Sequence, residues 1–140
     1  MKVYISNYST ERWYHRLFGI QSGKIQYVKI DNYDAWSADT TLALIIAPTL
    51  RKLRDLPNGA CPFVSIPDRP GHLIGSVPLQ GDTDEFHEEA WDWALTEMIY
   101  AFESCASQFS GECEEDYLEN DIRIKNGYRL FGKYYENLWH

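Results

Sequence analysis

Residues 82–108 limit most strongly what this chain can fold into. Asp82-Thr83-Asp84-Glu85 reads as a capping box, with Glu85 three residues after Asp82, and it opens a pattern with helical spacing. Trp91, Leu95, Met98 and Phe102 make one apolar stripe, and Phe86, Ala90, Trp93, Ala94 and Ala101 add a second. A helix that is apolar on most sides has to be surrounded. The sequence therefore predicts a central helix over 82–108, with the other elements arranged about it.

The remaining elements are read around that helix. Lys2 to Tyr8 and Lys24 to Ile30 alternate with period two and predict a pair of strands. Ser9 to Phe18 has the spacing of a short helix, and Gly19 to Gly23 that of a turn. Ser37 or Asp39 is expected to cap a helix over 37–54, with Leu42, Ile45, Ile46, Thr49, Leu50 and Leu53 as its apolar stripe and Pro48 inside it. Residues 55–81 hold five prolines and four glycines and predict a long loop, a lid over a pocket or an arm to another subunit. Asp68-Arg69-Pro70-Gly71-His72 is its most chemically equipped point. After an acidic connection comes a last helix over 117–139, with Ile124, Tyr128, Phe131, Tyr135 and Leu138 on one face. Gly127 and Gly132 mark either close packing or a break in it. The expected architecture is one α+β domain of residues 1–140, in which a small N-terminal antiparallel sheet over 1–36 packs against three main helices.

Composition narrows the function classes. At 140 residues the chain has the size of one ordinary domain, and 44% apolar and 24% charged residues are normal for a globular protein. The formal net charge of −8 argues against duplex nucleic acid as a partner, because such a partner demands a basic face. The N-terminus lacks the apolar core of a secretory signal, and no apolar run approaches the roughly 20 residues of a membrane span. A soluble, intracellular protein is expected, with Cys61, Cys105 and Cys113 as reduced thiols. Aromatic residues reach 15%, which means either a ring-rich core or rings displayed at a surface that binds something flat.

Three constellations are candidates for chemistry. In residues 30–46, Asp31, Tyr33, Trp36, Ser37, Asp39 and Thr40 gather polar and aromatic groups at a helix start. They would hold an anion on backbone N–H groups, a hard cation on Asp31, Asp34 and Asp39, or ribose hydroxyls with a base on Tyr33 and Trp36. The alternative is a structural turn with Trp36 anchoring the core. In the central helix, Asp84, Glu88 and Asp92 fall at i, i+4 and i+8 beside His87, and Glu97 sits deep among apolar residues. A carboxylate there must be paired or face a pocket. In the last helix, Arg129 and Lys133 share a face and either pair with Glu97 or Asp92 or form a basic wall for phosphates. There is no nucleophile elbow, phosphate loop, dinucleotide fingerprint or CxxC pair. No catalytic residue, cofactor or bound metal is assigned.

Residues 28–48, the run Trp91-Asp92-Trp93 with residues 97–103, and residues 123–139 together resemble a family of small uncharacterised proteins of tailed bacteriophages. The resemblance covers about two-thirds of the chain. It departs at Thr40, where relatives carry a histidine, and in a shorter segment before Lys24. It implies a phage accessory protein made in the cytoplasm of the infected bacterial host.

The expectation is then a binding protein, a homo-oligomer, that sequesters a small nucleotide-like ligand, such as a host immune signal. Trp36 or Trp93 would stack on the base, Arg129 and Lys133 would meet phosphates, and Asp31, Ser37, Asp39 and Glu97 would take hydroxyls or amines. Two alternatives stand beside it. One is a metal-dependent phosphoesterase using Asp39, Asp92 and Glu97; the other is an inhibitor that binds a host protein through exposed aromatics.

Overall fold

The computed structural model describes residues 2–6, 25–56, 61–75, 83–107 and 117–138. The chain divides into two compact units, Met1–Thr41 and Leu42–His140. The expected helix over 9–18, the turn after it, the acidic connection, Asp82 and Cys113 lie outside the described residues.

In the first unit, β1 (Lys2–Ser6) and β2 (Ile25–Lys29) run antiparallel, with Lys2 opposite Lys29 and Ser6 opposite Ile25. This ribbon does not make an α+β fold. Among the described residues two strands alone give no sheet layer, and most of those residues are helical. The expected small sheet packed on three helices is therefore overturned. Period-two alternation is a local signal and says nothing about how many strands will assemble. After the ribbon comes α1 (Asn32–Trp36), a short helix where the sequence suggested a turn. Asp34 Oδ2 accepts the Asp31 N–H at 3.0 Å, which caps it.

The second helix, α2 (Ala38–Arg54), has its unit boundary in the first turn. It carries Pro48 inside and Arg51, Lys52 and Arg54 in its last turn, where they complement the carbonyl end of the helix. Its buried face is set by Ala43, Ala47 and Leu50, with Ile46 and Leu53 half-buried beside them. Leu42, on the expected stripe, is exposed, as is Leu44. The helix is turned so that Ala43 and Ala47 meet the core beside Leu50.

The central helix is α3 (His87–Ser107), which starts later than the capping pattern at 82–85 suggested. Asp84 supplies the stop, its Oδ1 accepting the Phe86 N–H at 3.0 Å and its carbonyl accepting the His87 N–H at 3.3 Å. Ala90, Trp91, Ala94, Leu95, Met98, Ile99, Ala101 and Phe102 are all buried, so the expected wide apolar face is present. Against it packs α4 (Tyr117–Tyr134), which continues into a 3-10 turn at Tyr135–Asn137. The contact line runs through Gly127, Leu130 and Tyr134, while Tyr135 of the expected face is exposed. Gly127 explains the rotation. A Cβ there would lie 2.5 Å from the Ala101 Cβ and collide with the Glu97 carbonyl oxygen, so the two backbones cross closely at this point. Phe102 fills the space beside the crossing, edge-on to Phe131 at 4.8 Å and to Tyr128 at 5.2 Å between ring centres.

The described part of the Pro/Gly-rich segment is residues 61–75. It makes two 3-10 turns, Ile66–Asp68 and Gly71–Leu73, and buries Val64, Asp68, Arg69 and Leu73. Among the described residues, no helix is long and apolar enough to cross a membrane.

Candidate functional site

The densest polar chemistry surrounds Asp68, which is only 9% exposed. The Pro67 turn aims its carboxylate at one face of α4. There Asp68 Oδ1 accepts Arg129 Nη1 at 2.5 Å, and Oδ2 accepts Lys133 Nζ at 2.5 Å and the Tyr134 hydroxyl at 2.7 Å. The Tyr134 oxygen in turn accepts the Ser65 N–H at 2.9 Å. Burial pushes the Asp68 carboxyl up, but the hydrogen bonds from Lys133, Tyr134 and Arg129 together outweigh it and hold it at about 2. The bond to Asp68 raises the Lys133 ammonium. Arg129 also donates from Nε and Nη2 to Asn126 Oδ1, at 3.1 and 2.8 Å.

The neighbouring Arg69 points the other way and is fully buried. Its Nε donates to the Val64 carbonyl at 2.8 Å, and its Nη1 donates to Asp84 Oδ2 at 2.5 Å and to the Leu73 carbonyl at 3.4 Å. The guanidinium lies 4.9 Å from the Phe63 ring centre, and its Nη2 finds no partner among the described residues. Phe63 also stacks on His87, whose Nε2 lies 2.8 Å from the Cys61 carbonyl; that acceptor places the ring proton on Nε2. Burial, with the Glu88 carboxylate beside it, pushes the Cys61 thiol up and keeps it a poor nucleophile. One consecutive run, Asp68-Arg69, thus ties the loop to α4 on one side and to the start of α3 on the other.

The expected site residues fall into separate roles. Arg129 and Lys133 pair with Asp68, not with Glu97 or Asp92, and so do not form an unengaged basic wall. Glu97 instead holds Arg123 through both oxygens, at 2.7 to 3.1 Å, and Arg123 stacks 3.8 Å above the Tyr100 ring. Both Glu97 oxygens are engaged, and among the described residues no group of three His, Cys, Asp or Glu side chains is placed to hold a metal ion. In the first unit, Asp31 and Asp39 are exposed, while Ser37 and Thr40 are half-buried. Tyr33 and Trp36 are each 91% exposed, so Trp36 does not anchor a core.

Trp93 lies elsewhere, half-buried on the outer face of α3. With His72, Leu73, Glu88, Glu89, Asp92 and Thr96 it lines an open groove of about 520 Å³. The i, i+4 spacing of Glu88 and Asp92 puts both carboxylates along the groove, whereas Asp84, the first of that line, is consumed by Arg69. Sequence reasoning missed Asp68, Arg69, Asp84, Arg123 and Tyr134 as partners. The available signals were the charged pair Asp68-Arg69 in an otherwise apolar loop and the run Arg129, Lys133, Tyr134 at i, i+4 and i+5.

Comparison with protein-family models, with curated proteins and with solved structures returns no match.

Proposed function

We propose that this chain is a binding protein that sequesters a small nucleotide-derived ligand, and that it grips the ligand by its base and sugar. One observation carries this reading: the groove on α3 combines the flat, half-buried ring of Trp93 with the carboxylates of Glu88, Glu89 and Asp92, and no lysine or arginine is among the described residues lining it. A base stacked on an indole gains about 1–3 kcal/mol. Carboxylates and the Thr96 hydroxyl accept from exocyclic amines and ribose hydroxyls, and three negative charges repel a phosphate. Arg129 and Lys133 are engaged with Asp68 and do not line the groove, so in this reading the phosphates of such a ligand point away from the groove carboxylates. In keeping with the resemblance above, the setting is a phage accessory protein in the cytoplasm of an infected bacterium, acting as a homo-oligomer.

The test is thermal unfolding of the purified protein against nucleosides, cyclic nucleotides and ADP-ribose derivatives, with and without a chelator. A cargo at a hundred times its Kd adds roughly 2.7 kcal/mol of stability. The expected result is a chelator-insensitive upward shift that Trp93→Leu removes, with the ligand recovered unchanged. A flat panel, or a shift that survives Trp93→Leu, would overturn the reading.

A further inference from the structure

The polar side chains of the α3 groove are nearly all hydrogen-bond acceptors. Glu88, Glu89 and Asp92 are exposed along it and have no hydrogen-bond or ion-pair partner among the described residues. An ionised carboxylate only accepts. A hydroxyl does either, but that of Thr96 donates to the Asp92 carbonyl at 2.8 Å, so it turns lone pairs alone to the groove. The Trp93 N–H lies in the plane of its ring and cannot meet the edge of a base stacked on the ring's face. That leaves His72, on the turn Gly71–Leu73, as the lining side chain able to donate.

The helix sets where those acceptors stand. Glu89 comes four residues before Trp93 and Thr96 three residues after it, so both share the side of α3 that carries the indole. Glu88 and Asp92 form the neighbouring line. A base stacked on Trp93 therefore brings its edge to carboxylates, and the bases answer differently. Guanine has two adjacent donors on its Watson–Crick edge, N1–H and N2–H, which match the two oxygens of one carboxylate. Adenine and cytosine each have one donor there beside a ring-nitrogen lone pair, which a carboxylate repels. Uracil has a single donor between two carbonyl oxygens. The guanine O6, next to N1–H, is in turn an acceptor for a His72 N–H.

Resting on the sequestration reading above, we infer that the groove is a guanine site. One carboxylate of Glu88, Glu89 and Asp92 accepts N1–H and N2–H together, Trp93 carries the ring, and His72 donates to O6.

The test is isothermal titration calorimetry of the full chain with guanosine, inosine, adenosine and cytidine. Guanosine binds tightest. Inosine, which lacks only the N2 amine, binds several-fold more weakly, and adenosine and cytidine by about 10-fold or more. The triple variant Glu88→Gln, Glu89→Gln, Asp92→Asn changes only exposed groups and keeps its helical circular dichroism. It levels the four affinities, because each amide sets a donor beside an acceptor. Adenosine or inosine bound as tightly as guanosine, with binding still lost in Trp93→Leu, would overturn the guanine site and leave sequestration standing. A guanosine preference that survives the triple variant would overturn it as well. No binding of any of the four nucleosides, or spermidine bound more tightly than guanosine, would overturn the sequestration reading and the guanine site together.

Discussion

Gly127 and Gly132 stand on the same helix, and alanine at each should act with opposite sign. At Gly127 the new methyl would lie 2.5 Å from the Ala101 Cβ and would run into the Glu97 carbonyl oxygen. Carbon atoms in contact normally sit about 3.5–4.0 Å apart, so the shortfall is on the order of 1 Å. Neither obstacle can swing away, because one is helix backbone and the other is a methyl fixed directly to it. The α3 and α4 helices must therefore separate along the line that also seats Leu130 and Tyr134. Overpacking of this kind costs about 1–3 kcal/mol, and two simultaneous collisions place it at the upper end. The better helix propensity of alanine returns about 1 kcal/mol, which leaves a net loss of about 2 kcal/mol. At Gly132 nothing lies within 4 Å of the added methyl, so only the propensity gain of about 1 kcal/mol remains. Equilibrium urea unfolding of the two variants should show midpoints displaced in opposite directions with unchanged slopes. A Gly127→Ala protein as stable as Gly132→Ala would refute the close crossing.

Other outcomes follow from the polar contacts. Asp68 has its carboxyl held at about 2 against an ordinary value of 3.8, so its stabilisation is complete above pH 4 and is lost as pH falls through 2. That shift corresponds to roughly 2 kcal/mol, and Asp68→Asn should lose about that much at pH 7 while showing a shallower decline between pH 4 and pH 2 in urea titrations. Glu97→Gln, which strips Arg123 of a charged two-oxygen acceptor, should cost about 1–2 kcal/mol in the same assay, and high salt should shrink the difference. Tyr134→Phe leaves the Ser65 N–H without its acceptor and should cost about 1–2 kcal/mol at neutral pH, read as a lower unfolding midpoint.

What the sequence disclosed and what it hid divide along physical lines. The broad apolar face of α3 was legible because a helix records its surroundings with a short period, so Trp91, Leu95, Met98 and Phe102 identify themselves. The faces of α2 and α4 were read slightly out of phase. In each, small residues share the seat with larger ones, Ala43 and Ala47 with Leu50 in one and Gly127 with Leu130 in the other, and hydrophobicity patterns give the small ones little weight. The strand pattern at Lys2–Ser6 and Ile25–Lys29 was visible, but the number of strands in a sheet is a tertiary property, and the α+β reading failed there. Glu97 was expected to need a partner, yet its pairing with Arg123 was not readable, since nothing local favours Arg123 over Arg129. Asp68 was the hardest. Its partners Arg129, Lys133 and Tyr134 lie 61, 65 and 66 residues away, and only the folded chain brings them to one carboxylate. Trp36 left two readings open in the sequence, a displayed ring or a core anchor, and its exposure disfavours the second.

The span of the Asp68 contacts also orders events in time. The pairing of α3 with α4 closes only the short connection between them, whereas Asp68 and Ser65 must find Tyr134 across 66 and 69 residues. Closure of the longer loop costs more chain entropy and is rewarded only after α4 has somewhere to sit. The Asp68–Tyr134 latch therefore engages late, after the rate-limiting step of folding, and is the first to let go. Stopped-flow measurements on Tyr134→Phe should show faster unfolding with almost unchanged refolding, whereas Gly127→Ala should slow refolding. On that ordering, the lifetime of the folded protein would be set by one three-residue turn in the loop.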